Sequence, residues 1–138
     1  MASSPDIRWR QRLSALTKAF GKLRQFSEES LKDGELSELE QHAIIKSFEY
    51  TFELAWKTLQ DILIERGITD VRGPRPVIRR AFSDGLIKDG EGWLVMLDAR
   101  NSTTHIYDEA VSKDIAQRIV SQFMLQIEDL LRSLEKIG

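Results

Sequence analysis

Apolar positions recur at spacings of three and four along nearly the whole chain, the period of an amphipathic helix. Leu13, Leu16, Phe20 and Leu23 open the pattern. Pro5 and Asp6 stand just ahead of it, where a helix can begin. Gly34, in a polar stretch, separates this helix from the next. The second helix carries the clearest signals. Ser37-Glu38-Leu39-Glu40 fits a capping box: Ser37 accepts from a free backbone N–H and Glu40 reaches back. Ile45, Phe48, Phe52, Trp56, Leu59 and Leu63 then form one apolar stripe. Lys46, Glu49, Glu53, Lys57 and Asp61 lie mostly on the opposite side. Gly67 is a natural C-terminal stop. About 28 residues at about 1.5 Å each predict a rod of roughly 42 Å.

Gly73-Pro74-Arg75-Pro76 interrupts the periodicity. A short helix is expected next, with Val77, Ile78, Ala81 and Phe82 as its apolar face and Gly85 as its stop. Asp89 suits the cap of a fourth helix carrying Trp93, Leu94, Met96 and Leu97. Asp108 suits the cap of the last helix, whose stripe runs Ile115, Ile119, Phe123, Ile127, Leu130, Leu134 and Ile137. No segment reads as a strand, and Leu86-Ile87 is too brief to decide. There is no internal repeat and no low-complexity linker. The predicted fold is all-α: an antiparallel up-and-down bundle of four main helices and one short helix, with residues 1–138 as a single domain.

Composition narrows the functional classes. A chain of 138 residues, 41% hydrophobic, is long enough to bury a real core. Twenty Lys and Arg against 22 Asp and Glu give a net charge of -2, which excludes a globally basic nucleic-acid coat but not a local basic patch. Two such patches stand out. Six basic residues and no acid fall between Ile7 and Ser27, and Arg72, Arg75, Arg79 and Arg80 form a second cluster. They read either as solvated helix faces or as a phosphate-binding surface. With no Cys there is no disulfide framework, thiolate metal site or Cys nucleophile. The longest apolar run, Trp93 to Leu97, is far short of a bilayer span. Residues Met1 to Asp6 have no apolar core, so no signal peptide is expected there. The expected location is the cytoplasm, with no membrane contact.

Candidate chemistry gathers in one place. His42 sits early in the long helix among polar neighbours and reads as a surface residue. His105 has different company: Arg100-Asn101-Ser102-Thr103-Thr104-His105-Ile106-Tyr107 puts an Arg, an Asn, three hydroxyls, a His and a Tyr into one predicted helix end. That set suits a phosphodiester. Arg clamps phosphate bidentately, His moves protons near neutral pH, and Asn and Tyr orient donors. On a continuous helix Arg100 and His105 would lie about 140° apart, whereas Asn101 and His105 would share a face. Either the helix ends near His105 and the chain turns, or the groups act across a dimer seam. The plainer reading is that Asn101, Thr104 and Tyr107 satisfy backbone groups at a helix junction. Neither a Gly-rich phosphate loop nor a zinc-ligand pattern nor a Gly-x-Ser-x-Gly elbow occurs. Asn101-Ser102-Thr103 fits a glycosylation sequon, read as chance. Trp56 and Trp93 lie on apolar stripes, where an aromatic is more often core than a base-stacking platform.

Three stretches together resemble a known family. They are Phe48 to Leu59, reading Phe-Glu-Tyr-Thr-Phe-Glu-Leu-Ala-Trp-Lys-Thr-Leu; Pro74-Arg75 to Phe82 with Gly85-Leu86-Ile87; and Trp93 to Tyr107, ending in Arg-Asn-x-Thr-x-His-x-Tyr. The pattern is similar to the nucleotidyltransferase substrate-binding proteins, a branch of the HEPN superfamily, over roughly residues 7 to 135. The resemblance implies a homodimeric helical bundle, encoded beside a separate minimal nucleotidyltransferase and forming a complex with it. It also implies nucleotide or RNA as ligand, with no cofactor and no metal. The chain lacks the partner's Gly-Ser and paired aspartates, so it is not expected to transfer nucleotides itself. In the wider superfamily an Arg-x4-6-His motif serves metal-independent RNases, often toxins silenced by the nucleotidyltransferase as antitoxin. Carried over, Arg100 would stabilise the phosphorane and His105 would act as general base or acid, with Asn101 and Thr104 in the binding segment. Tyr107 matches a tyrosine that some partners adenylylate. Three readings follow: a binding subunit for the nucleotidyltransferase, an RNase toxin, or a non-catalytic structural adaptor. Whether the chain is an enzyme stays open at this point.

Overall fold

The computed structural model describes residues 5–137; the reading of Met1 to Ser4 as free of a signal peptide lies outside the described residues. Six α-helices follow in order: α1 (Pro5–Leu31), α2 (Glu38–Glu65), α3 (Pro74–Ser83), α4 (Gly90–Asn101), α5 (Glu109–Arg118) and α6 (Met124–Glu135). A 3₁₀ turn, Ser102–His105, follows α4, and a π turn, Ile119–Phe123, joins α5 to α6 without a break. The α5–α6 rod is the expected last helix. No strand occurs among the described residues. The all-α bundle agrees with the periodicity, although α4, at 12 residues, is scarcely longer than the short α3 at 10.

The long α2 is central: α1, α3 and α5 all pack on it, α1 also meets α6, and α3 meets α4. Its start is the capping box. The Ser37 N–H donates to Glu40 Oε1 at 2.8 Å, and the Glu40 N–H donates to Ser37 Oγ at 3.1 Å. The bond from the Ser37 N–H is the main reason that the Glu40 carboxyl sits below its ordinary pKa. At the far end Gly67 adopts φ +87°, a left-handed conformation that few other residues accept without strain. The stripe from Ile45 to Leu63 is buried apart from Trp56, which is half-buried. Phe48 stacks on Phe123 of the π turn with centroids 5.5 Å apart, and Phe52 stacks on Trp93 of α4 at 6.1 Å. These pairs join the central helix to the rod and to α4 through well-packed aromatic faces.

Several side chains differ from the sequence reading. Asp61, expected on the polar side of α2, is buried, and its carboxylate accepts from Arg12 Nε of α1 at 2.8 Å. The charge is tolerated because the guanidinium compensates it. His42 is half-buried, not a fully exposed surface residue, and its Nε2 is enclosed without a hydrogen-bond partner. Phe82, expected on the apolar face of α3, is 51% exposed. Its ring lies against Gly90, where an added Cβ would come within 2.7 Å of it.

The π turn has a cause in the sequence. Ile115, Ile119, Phe123 and Ile127 are spaced by four, so on a regular α-helix each would drift about 40° from the one before. A turn with i→i+5 bonding takes up the extra residue. All four side chains are consequently buried on one face, and Leu130 and Leu134 continue it. Between α2 and α5, a buried hydrogen bond runs from Ser112 Oγ to Gln41 Oε1 at 3.0 Å, while Gln41 Nε2 donates to the Leu36 carbonyl at 3.2 Å. Among the described residues no helix is long and apolar enough to cross a membrane.

Candidate functional site

The polar segment lies where α4 gives way to α5. Asp89 caps the start of α4 by accepting from the Gly92 N–H at 2.9 Å, and the helix carries Arg100 and Asn101 at its end. It stops at Asn101, four residues before His105. The chain then tightens into the 3₁₀ turn and passes Ile106 and Tyr107 to reach Asp108. Asp108 caps α5, accepting from the Ala110 N–H at 2.9 Å and the Val111 N–H at 3.4 Å.

The junction's backbone groups are satisfied by other residues than those the plainer reading named. Ser102 Oγ donates to the Asp98 carbonyl at 3.1 Å and Thr103 Oγ1 to the Arg100 carbonyl at 2.8 Å. Among the described residues, neither the Asn101 nor the Thr104 side chain makes a hydrogen bond. Arg100 makes no ion pair there, although it is half-buried. Tyr107 is 79% exposed, and its hydroxyl lies 3.5 Å from His105 Nδ1 with the two rings edge to face. The capping work is done by Ser102, Thr103 and Asp108. Arg100, Asn101, Thr104, His105 and Tyr107 are left available to solvent or a ligand.

The five do not converge on one spot. Arg100 and Asn101 line a cavity of about 230 Å³ with Glu53, Trp56, Pro74 and Leu97. His105 and Tyr107 line a different cavity, of about 670 Å³, between α4 and α5. α4 ends at Asn101, so the angles of a continuous helix do not carry on to His105: Arg100 and Asn101 line one cavity and His105 the other, although on an unbroken helix Asn101 and His105 would share a face. Charge separates the cavities further. Asp98, Asp108 and Asp114 border the larger one against the single guanidinium of Arg118. Asp98 is paired with Arg75 at 2.9 Å and Asp114 with Arg118 at 3.6 Å. The smaller cavity has Arg100 as its cation, and its carboxylate, Glu53, is already bridged to Lys57 at 3.4 Å. Anions are favoured there by simple electrostatics.

Much of the basic character seen in the sequence serves the fold. Arg12 pairs with Asp61, Arg24 with Glu128, Arg75 with Asp98 and Arg80 with Asp84. Glu53 and Pro74 also belong to the site, although the sequence marks neither as a site residue. Their signal was faint: Glu53 is three residues before Trp56 on one helix, and Pro74 lies far off in the chain. Among the described residues no group of three or more His, Asp or Glu side chains is arranged to hold a metal ion.

Comparison with known proteins adds to this geometry. The family described as "nucleotidyltransferase substrate binding protein like" matches residues 11–136. This chain belongs to that family. A Haemophilus influenzae protein named probable ribonuclease HepT is 31% identical over 96 residues, which cover 67% of this chain. The match spans 65% of that relative's length. Two solved structures share the fold. One, from Haemophilus influenzae, is described as revealing the fold of a substrate binding domain of a nucleotidyltransferase. It is 27% identical, with a TM-score of 0.74 over 90% of this chain and 99% of its own. The other, a crystal structure of a Thermus thermophilus protein, is 35% identical, with a TM-score of 0.72 over 85% of this chain and 98% of its own. The helical bundle is thus the family's fold.

Proposed function

We propose that this family member is the helical, substrate-binding subunit of a two-protein system whose nucleotidyltransferase is a separate chain. It offers the Arg100–Tyr107 segment to a nucleotide or to a nucleotide-bearing acceptor. The observation that carries this reading is the division of labour at the junction: Ser102, Thr103 and Asp108 satisfy the backbone, while a half-buried Arg100 has no carboxylate partner among the described residues. A guanidinium so placed gains most from a phosphate, through charge-assisted bonds. Family membership supports the nucleotidyltransferase as partner. The chain acts as one domain, in the cytoplasm, and as a homodimer. Equilibrium dialysis with each of the four nucleoside triphosphates tests the reading. Binding by the wild type that falls about tenfold or more in Arg100→Ala is expected, the loss of a charged hydrogen bond being worth at least that factor. Equal binding by the two proteins would contradict it.

The second reading, a metal-independent RNase, is favoured by the Tyr107 hydroxyl beside His105 Nδ1 and by the name of the HepT relative. In it Arg100 stabilises the phosphorane and His105 moves the proton of the attacking ribose 2′-hydroxyl. Because the two residues open into different cavities of one chain, this chemistry needs the Arg100 of one copy and the His105 of another. Incubation of a mixed RNA pool with EDTA decides between the readings. Cleavage leaving a 2′,3′-cyclic phosphate, lost in both Arg100→Ala and His105→Ala, would establish the RNase. The binding reading expects intact RNA.

A further inference from the structure

The cavity beside Arg100 has the parts of a nucleobase slot. Trp9 and Trp93 are sealed in the core at 1% and 2% exposure, whereas Trp56 is half-buried and borders the cavity. Its Nε1–H is already engaged, donating to Glu53 Oε2 at 3.0 Å, which fixes the ring. Glu53 Oε1 in turn meets Lys57 Nζ at 3.4 Å, so the carboxylate is compensated. Lys57 Nζ also lies over the ring, 5.9 Å from its centroid, so what the indole still offers a ligand is the π surface that the ammonium leaves uncovered. Pro74, at the start of α3, supplies an apolar wall, and Arg100 and Asn101 supply a cation and a carboxamide. At about 230 Å³ the space is below the usual range for drug-sized ligands. It suits one flat ring with a phosphate at its mouth.

We infer that Trp56 is the base-stacking residue of a mononucleotide subsite, with Arg100 on the phosphate and Asn101 on the edge of the base. This deepens the proposed function and rests on it, because it assigns the ligand of the Arg100 side to a 5′-nucleotide or a nucleotide unit of single-stranded RNA. The chemistry is general: bases stack on aromatic side chains whatever their sequence, a guanidinium grips phosphate, and a carboxamide both donates and accepts. In the larger cavity beside His105 the one guanidinium, Arg118, is already held by Asp114, and Asp108 has no ion-pair partner among the described residues, so it is the poorer host for an anion.

Intrinsic tryptophan fluorescence tests the assignment, since only Trp56 of the three is open to quenching by a stacked base. The probes are AMP, GMP, CMP and UMP, with adenosine as the phosphate-free control. Calorimetry runs in parallel on the same samples. Saturable quenching by at least one nucleotide is expected, much weakened for adenosine and in Arg100→Ala. Trp56→Phe should keep calorimetric binding within about threefold, and Trp56→Leu should weaken it about tenfold or more. Nucleotide binding seen by calorimetry without quenching, and unchanged in Trp56→Leu, would overturn the slot while leaving the proposed function standing. Quenching that persists undiminished in Arg100→Ala would overturn the phosphate assignment. Absence of binding by both methods, in protein shown to be folded by circular dichroism, would overturn both the slot and the reading beneath it.

Discussion

Arg100 and Asp61 are opposite cases of a charged side chain in a helical protein. Asp61 is buried because Arg12 reaches it from α1; Arg100 is half-buried with no carboxylate to meet it among the described residues. The first is a structural pair, the second an available one. A similar distinction governs the uncharged groups. Gln41 holds the buried Ser112 hydroxyl and the Leu36 carbonyl together, so Gln41→Leu strands both and should cost about 1–3 kcal/mol in urea unfolding. A cost under a few tenths of a kcal/mol would show that the pair contributes little. Glu40 carries a pH signature. Its carboxyl is held below the ordinary range chiefly by the Ser37 N–H, with the Ser37 and Ser30 hydroxyls adding to it. The cap therefore contributes fully above the unfolded carboxylate range and is lost as pH falls through the lowered folded value. Stability measured against pH should fall less steeply on the acid side in Glu40→Gln than in the wild type.

Among the elements, the α5–α6 rod shows what periodicity tells and what it hides. The stripe Ile115, Ile119, Phe123, Ile127 is plain in the sequence, but its spacing of four is compatible with burial only if the helix gains a residue in one turn. The π turn at Ile119–Phe123 supplies it. Removing that residue should restore a regular helix and leave the apolar face aligned. Deletion of the exposed Ser121 is therefore expected to give a folded protein with a melting temperature within a few degrees of the wild type. Deletion of Glu128, in the regular part, rotates Leu130, Leu131 and Leu134 about 100° away from the core and should abolish cooperative unfolding. Like behaviour of the two deletions in circular dichroism melting would contradict this register. The caps were the most legible features: Ser37 with Glu40, Asp89 and Asp108 all act as their residue types imply, because an N-cap depends on neighbours within three residues. Asp61 and Phe82 were illegible for the converse reason. Their environments depend on Arg12 and Gly90, which reach them only through packing between elements.

Across the whole molecule, the all-α bundle was readable from spacing alone, and the family from three stretches of residues. The candidate site was readable only in part. Arg100, Asn101, Thr104, His105 and Tyr107 share one stretch of chain, yet beyond the end of α4 Arg100 and Asn101 line one cavity, His105 and Tyr107 line another of different charge, and Thr104 lines neither. A linear reading has no means of seeing Trp56 and Pro74 close over the Arg100 side. The separation of Arg100 from His105 also bears on assembly. A homodimer is the arrangement in which residues from both cavities can meet one ligand, and light scattering should give twice the chain mass. A monomer at the concentrations used for binding would remove that route and count against the RNase reading. On this reading Arg100 belongs to a ligand site and not to the junction's structure. The most direct measurement is Arg100→Ala, assayed together for urea stability and for nucleotide binding. Stability within about 0.5 kcal/mol of the wild type is expected, as for substitutions outside core and caps, with binding reduced about tenfold or more. A loss of several kcal/mol with binding unchanged would mean that Arg100 holds the helix junction and that the site lies elsewhere.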